Sequence, residues 1–158
     1  MTFRFAKEND SEKILFFIKE LAEYEKMSDD VVATVEDIRR ELFDKNYAEV
    51  IFALDDSGEE VGFALFFSTF STFLGKSGIH LEDLYVLPSR RGEGFGKGLL
   101  MRLAELCRER GCGRLEWTCL NWNTPSLDFY RSLGAEVMDE WSLLRLSGNA
   151  LYQLGMKK

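Results

Sequence analysis

The residues best suited to chemistry lie where glycine recurs at every second position from Gly92 to Gly98, directly after Arg90 and Arg91. Glycine tolerates the backbone angles of sharp turns and lets the main chain approach a ligand closely. A helical pattern follows, and the first amide groups of a helix have no acceptor inside it and lie at its positive dipole end. The segment therefore indicates a site that binds a phosphate group.

Two common glycine motifs do not describe this segment. A P-loop requires Ser or Thr after its lysine, whereas Lys97 is followed by Gly98. The dinucleotide fingerprint G-x-G-x-x-G fails because the glycines recur in steps of two. The spacing that fits is Arg-x-x-Gly-x-Gly, at Arg91, Gly94 and Gly96. A connecting loop without a ligand is the alternative interpretation.

Hydrophobic periodicity predicts the elements that hold this loop. We expect a strand at 2–6, a helix that starts near Asn9 and runs through Ala22, and a short helix opened by a capping box at Thr34. The other expected elements are strands at 49–54, 61–69, 79–87, 114–120, 136–138 and 141–146, and helices at 94–110 and 124–133. Hairpin-joined strands followed by a β-α-β-α run predict an α/β or α+β fold with a mixed sheet.

The composition narrows the class of protein. The chain has 158 residues, 46% of them hydrophobic, and we expect one domain over residues 1–158. A net charge of −7 disfavours nucleic acid as a partner, because its phosphates would be repelled. The charged start of the chain does not resemble a secretory signal, and the longest apolar stretch, 61–67, is too short to cross a membrane. We therefore expect a cytoplasmic location.

The three cysteines do not indicate a metal site. Cys107, Cys112 and Cys119 have no metal-ligand spacing, and the single histidine adds no partner. Cys107 falls on the apolar side of a predicted helix, Cys112 in a turn and Cys119 at a strand end. We expect reduced, structural thiols and no metal.

Three further segments, together with the glycine loop, resemble one known family over most of the chain. They are Ile18–Glu25, Leu81–Asp83 and Asn123–Tyr130. The resemblance is to the diamine (spermidine/spermine) and thialysine branch of the GNAT N-acetyltransferases. It implies the GNAT fold, with a mixed central sheet of six to seven strands, about four flanking helices and a bulged strand that opens the cofactor cleft.

The same resemblance implies acetyl-CoA as the cofactor, with coenzyme A as the product. The backbone of Leu84, Tyr85 and Val86 would pair with the pantetheine arm. The other cofactor-binding residues that the resemblance implies are Arg91, Gly92, Glu93, Gly94, Phe95, Gly96, Lys97, Asn123 and Ser126.

Two residues are candidates for proton transfer. Tyr130 matches the phenol that protonates the departing CoA thiolate in the family, and the alternative is a core tyrosine beside Phe129. The attacking amine must be neutral, so a base is needed, and Glu82 is the candidate, directly or through water. Strand alternation puts Glu82 and Asp83 on opposite faces unless a bulge intervenes. A solvated acidic strand end is the alternative for this pair.

Tyr24 and Glu25 match substrate-contacting positions of the family, where a carboxylate would attract the second ammonium of a diamine. A charged helix end is the alternative. The other expected substrate-binding residues are Glu82, Glu116, Trp117 and Thr118.

The predicted function is transfer of an acetyl group from acetyl-CoA to a primary amine of a small molecule, by direct attack in a ternary complex. A diamine, a polyamine and a lysine-like amino acid such as thialysine all remain open as substrates. A non-catalytic acyl-CoA-binding or regulatory domain and an acetyltransferase of a protein amine are the alternatives. The family resemblance also implies a homodimer.

Overall fold

The computed structural model describes residues 1–156. It divides into two compact units, Met1–Thr118 and Cys119–Lys158. No helix of the described residues combines the length and the apolar character needed to cross a membrane.

The first unit is a mixed five-stranded sheet with helices on both faces. Its strands lie in the order β1-β2-β3-β4-β5, and all neighbours are antiparallel except the parallel pair β4 and β5. The strands are β1 (Thr2–Phe5), β2 (Glu49–Leu54), β3 (Glu60–Ser71), β4 (Lys76–Val86) and β5 (Leu115–Trp117). The helices are α1 (Ser11–Tyr24), α2 (Val35–Ile38), which a π-helical turn at Arg39–Asp44 extends, and α3 (Phe95–Glu109). The mixed sheet is as expected, although it has five strands rather than six or seven.

Each face of the sheet is covered by a different helix layer. The face toward α1 and α2 buries Phe17 of α1 against Phe52 of β2 and Phe63 of β3. Helix α3 packs against β2, β3 and β4 and buries Leu99 and Leu103 completely. Successive side chains of a strand point to opposite faces of the sheet, so each strand contributes side chains to both layers.

The capping box predicted at Thr34 is confirmed. The Thr34 hydroxyl accepts a hydrogen bond from the Asp37 amide (3.2 Å), and the Asp37 carboxylate accepts one from the Thr34 amide (3.0 Å). The Thr34 hydroxyl, which donates to this carboxylate, and then Arg40 lower the pKa of Asp37 to about 2.

Strand β4 carries a bulge at Glu82. Its neighbour β3 pairs Leu65 with Asp83 and the next residue, Phe66, with Leu81, so Glu82 is the extra residue. An extra residue shifts the alternation of the strand, which changes the direction of the side chains on either side of it. This is the bulged strand that the resemblance implied.

The second unit contains α4 (Thr124–Ser132) and α5 (Gly148–Met156). The strands predicted at 136–138 and 141–146 are wrong, because these segments have no strand structure. A strand needs a partner for its backbone groups, and neither described segment has one; the side chains of Trp141 and Leu144 are 75% and 89% exposed. Helix α5 was not predicted.

Candidate active site

The glycine loop has an open backbone at the start of α3. Gly92 and Gly94 have φ angles of +82° and +90°, which residues with a side chain rarely adopt. No atom lies within 4 Å of the position that a Cβ on Gly92 would take. The amides of Phe95, Gly96 and Lys97 precede the first helical hydrogen bond, from the Gly98 amide to the Gly94 carbonyl (2.9 Å). These residues therefore fit a phosphate group of a bound cofactor.

Arg90 holds the loop in place. Its guanidinium contacts the carboxylates of Asp55 (3.0 Å) and Glu93 (3.2 Å) and lies 5.4 Å from the centre of the Phe95 ring. Asp55 belongs to the turn between β2 and β3, so these contacts join the loop to the sheet. The acidic Glu93, predicted to bind the cofactor, contacts Arg90.

Arg91 connects the loop to β4 and to the end of α1. Its Nε donates a hydrogen bond to the Val86 carbonyl (3.0 Å). Its guanidinium carbon lies 4.7 Å from the ring centre of Tyr24 and 5.2 Å from that of Tyr85. The structure therefore brings together four residues that sequence analysis selected in three separate segments.

The outer edge of β4 is free of a strand neighbour where the cofactor is expected. Strand β5 pairs with β4 only at Ile79, His80 and Leu81. Among the described residues, the following part of β4, Leu84 to Val86, pairs only with β3. Its outward backbone groups can pair with an extended amide chain, such as a pantetheine arm.

A pocket between α1 and β4 is lined by three carboxylates, Glu25, Asp30 and Asp83. The pocket has a volume of about 150 Å³ and an otherwise apolar wall. Burial, and then the charges of Glu82 and Glu25, raise the pKa of Asp83 to about 7. Burial also raises the pKa of Glu25. The pocket therefore concentrates negative charge that lacks full hydration. The residues that line it are Ile18, Leu21, Ala22, Glu25, Met27, Asp30, Val31 and Asp83.

Asp83 was not among the site residues expected from the sequence. The signal that could have identified it was the expected bulge, since a bulge next to an acidic pair removes the strict alternation between the two faces. The structure gives the two acids different surroundings: the Glu82 side chain is 54% exposed, whereas Asp83 is half-buried in the pocket.

Glu82 has a histidine beside it. The Nε2 atom of His80 lies 3.7 Å from a carboxylate oxygen of Glu82, and the imidazole stacks on the Phe67 ring at 5.0 Å. The imidazole and the Glu82 carboxylate therefore lie next to each other.

Of the predicted substrate residues, Glu116 and Trp117 lie in β5, and Thr118 follows it. Glu116 is the register partner of His80, and Trp117 that of Leu81, so both lie next to the strand that carries Glu82. The Glu116 carboxylate forms an ion pair with Arg114 (3.0 Å). Thr118 is the last residue of the first unit.

The second unit holds the predicted residues Asn123, Ser126 and Tyr130. Asn123 is buried, and its side-chain oxygen accepts a hydrogen bond from the Ser126 amide (3.4 Å), which caps α4. Asn123 is therefore the N-cap residue of α4. The Tyr130 ring lies 5.4 Å from that of Phe129 on the same helix.

Similarity to known proteins covers most of the chain. The model of the acetyltransferase (GNAT) family matches residues 15–135. A thialysine N-epsilon-acetyltransferase of Bos taurus is 38% identical over 165 residues, covering 98% of this chain and 96% of that protein. An L-ornithine N5-acetyltransferase of Arabidopsis thaliana is 43% identical over 90 residues, covering 57% of this chain and 40% of that protein.

The fold is also that of solved structures. An integron cassette protein of V. cholerae superposes with a TM-score of 0.82 at 27% identity, covering 99% of this chain and 98% of that one. Among the described residues, no group of three or more His, Cys, Asp or Glu side chains could hold a metal ion. The chain belongs to the GNAT family and is an N-acetyltransferase whose acetyl donor is acetyl-CoA.

Proposed function

We propose that this enzyme acetylates a primary amine of a small molecule that carries a second cationic group. The observation that carries the proposal is the pocket between α1 and β4, where Glu25 and Asp83 lie together. Two partly buried carboxylates repel each other and have lost part of their hydration. An ammonium group placed between them offsets the repulsion and replaces the lost hydration with hydrogen bonds and opposite charge. The apolar side of the same pocket suits a methylene chain.

The relatives support this substrate class. Thialysine and ornithine, the compounds in their names, are amino acids with a side-chain primary amine and a second amino group. Diamines and polyamines share the same pattern of an amine at the end of a carbon chain and a second positive charge. The acidic pocket is suited to the second charge in all of these compounds.

The glycine loop and the free edge of β4 support the proposed cofactor contacts. Acetyl-CoA, when bound, supplies an acetyl thioester. The amides from Gly92 to Lys97 would bind its pyrophosphate, with Arg91 beside them. The backbone of Leu84, Tyr85 and Val86 would hold the pantetheine arm. The family resemblance implies Asn123 and Ser126 as further cofactor-binding residues.

Glu82 is the proposed base and Tyr130 the proposed acid. An alkylammonium must lose a proton before its nitrogen can attack, because its pKa lies near that of lysine. Glu82 takes this proton, directly or through water, and the Tyr130 hydroxyl gives a proton to the departing thiolate. The amine attacks directly in a ternary complex, so no residue of the chain carries the acetyl group.

A matched pair of amines tests the second charge. We would measure CoA release and identify products by mass spectrometry with putrescine and with butylamine, which lacks the second amine. The expected result is a kcat/KM for putrescine about 100-fold higher or more, which corresponds to about 3 kcal/mol. Equal values for the two amines would contradict the proposal. Spermidine, spermine, lysine, ornithine, thialysine and a lysine peptide then define the class.

Substitutions in the pocket test whether the second charge of the amine binds there. Glu25→Gln and Asp83→Asn are expected to raise KM for the diamine and to leave the dissociation constant of acetyl-CoA unchanged. Glu23→Gln is the matched control, because this exposed carboxylate lies on the same helix but not in the pocket. A rise in KM with the control variant as well would mean that general surface charge, rather than the pocket, attracts the amine.

A further inference from the structure

The C-terminal end of α3 brings two cysteines together. Gly111 has a φ of +68°, the Cys112 amide donates to the Cys107 carbonyl (2.8 Å), and the Gly111 amide donates to the Arg108 carbonyl (3.2 Å). These two bonds define a Schellman motif, a geometry that brings the side chains at the positions of Cys107 and Cys112 close together, and the Cys112 thiol acts on Cys107 in this structure.

The two thiols also have defined surroundings. The Cys112 sulfur lies 3.5 Å from the Ser77 hydroxyl, and the Cys107 sulfur 3.8 Å from the Arg114 carbonyl. Burial, and then the neighbouring Cys112 thiol, raise the pKa of Cys107 to about 11. Both cysteines are free and half-buried, so a small oxidant can reach them.

We propose that Cys107 and Cys112 form a site of reversible oxidation, at which a small disulfide such as glutathione disulfide converts the two thiols into an intramolecular disulfide. The Cys112 thiolate attacks one sulfur of glutathione disulfide and releases one glutathione. Cys107 then attacks the Cys112 sulfur of this mixed disulfide and releases the second glutathione. The protein loses two electrons and two protons, and the oxidant becomes two thiols.

The order of the two steps follows from the surroundings of the sulfurs. The thiolate is the reactive form of cysteine, and the raised pKa of Cys107 keeps that residue protonated near neutral pH. Cys112 is therefore the first nucleophile. The Schellman motif then presents Cys107 to the mixed disulfide inside the same turn, which compensates for its low fraction of thiolate.

The site is remote from the glycine loop. Helix α3 has 15 residues, so its two ends are separated by roughly 20 Å. Formation of the disulfide is therefore measured independently of acetyl transfer.

The positions of the arginines make the test direct. Trypsin cleaves after Arg102, Arg108, Arg110, Arg114 and Arg131, which places Cys107, Cys112 and Cys119 in three separate peptides, 103–108, 111–114 and 115–131. The reduced protein is incubated with glutathione disulfide, its remaining thiols are blocked, and the digest is analysed by mass spectrometry. The expected product joins peptide 103–108 to peptide 111–114 and disappears on reduction.

Single serine variants complete the test. Cys119→Ser is expected to keep the cross-linked product, whereas Cys107→Ser and Cys112→Ser abolish it, and Cys107→Ser accumulates the glutathione adduct on Cys112. Glutathione adducts without a cross-link in the unmodified sequence, or cross-links that include peptide 115–131, would overturn the proposal. Three thiols that all remain blockable after prolonged oxidation would overturn it as well.

Discussion

At the scale of single residues, two adjacent acids of the same strand have opposite surroundings. The bulge at Glu82 leaves that side chain about half exposed, beside His80, while the half-buried Asp83 lines the same pocket as Glu25. Residue type alone does not distinguish these carboxylates. Burial, and then the charges of Glu82 and Glu25, make Asp83 reluctant to ionise.

Asp83→Asn is expected to stabilise the fold at high pH. The folded pKa of Asp83 is raised to about 7, above its value of about 4 in an unfolded chain, so the folded state holds more protons between these values. The free energy of unfolding of the unmodified protein therefore falls as pH rises from about 4 to 7. At pH 8 the variant gains about 1–2 kcal/mol, a rise in Tm of a few degrees, and at pH 4 the gain is lost. Thermal unfolding at both pH values is the measurement, and a gain that does not change with pH would contradict the assignment.

Glu82→Gln is expected to lower kcat/KM about 100-fold near pH 7.5, because the amine then has no base to accept its proton. The deficit should shrink toward pH 9.5, where a growing fraction of the amine is already neutral. The measurement is a pH profile of kcat/KM with the preferred amine. A deficit of the same size at every pH would assign Glu82 to substrate binding instead.

Tyr130→Phe is expected to bind acetyl-CoA normally and to lose about 100-fold in kcat, because the departing thiolate has no proton donor. Calorimetric binding and initial rates measure the two effects separately. Tyr47→Phe is the control, since this exposed tyrosine lies outside the proposed site. An unchanged kcat would remove Tyr130 from its proposed role and favour a packing partner of Phe129.

At the scale of elements, the sequence predicted correctly those features that depend on residues close together in the chain. The capping box at Thr34 and the start of α3 within the glycine loop depend on a few consecutive residues, and both were predicted from the sequence. The end of β5 was not, because a parallel strand continues only while its neighbour pairs with it. Pairing with β4 stops at Leu81, one residue before the bulge.

The glycine loop provides a test at the level of an element. Gly92→Ala forces a residue with a side chain into a φ of +82°, and the expected result is about tenfold weaker binding of acetyl-CoA. Gly75→Ala is the matched control: its φ is also positive, no atom crowds its Cβ position, and it lies in the hairpin between β3 and β4. Equal losses of affinity in the two variants would show a general effect on the fold.

At the scale of the whole molecule, the family model spans the boundary between the two compact units, since residues 15–135 include Tyr130. The second unit carries a series of exposed apolar side chains between Val137 and Met156. They include Trp141, Leu143 and Leu144, which are 73–89% exposed. Exposed apolar surface of this kind is typical of interfaces between proteins.

A homodimer is therefore the expected state in solution. Sedimentation should give about twice the chain mass of 18.2 kDa, and Leu144→Asp should shift the equilibrium toward the monomer. Leu74→Asp, in the exposed hairpin of the first unit, serves as the control. A monomer at micromolar concentration would contradict this expectation.

The sequence by itself determined the family, the phosphate-binding character of the loop and most of the helices and strands of the first unit. These features depend on spacing and residue type within short segments, so they can be predicted without knowledge of the tertiary contacts. Only the tertiary structure decided that Asp83 faces Glu25, that Arg91 stacks on Tyr24 and Tyr85, and that the segments after Gly134 form no strands. Strand register and burial depend on residues far apart in the chain, and a shift of one residue turns a side chain to the other face.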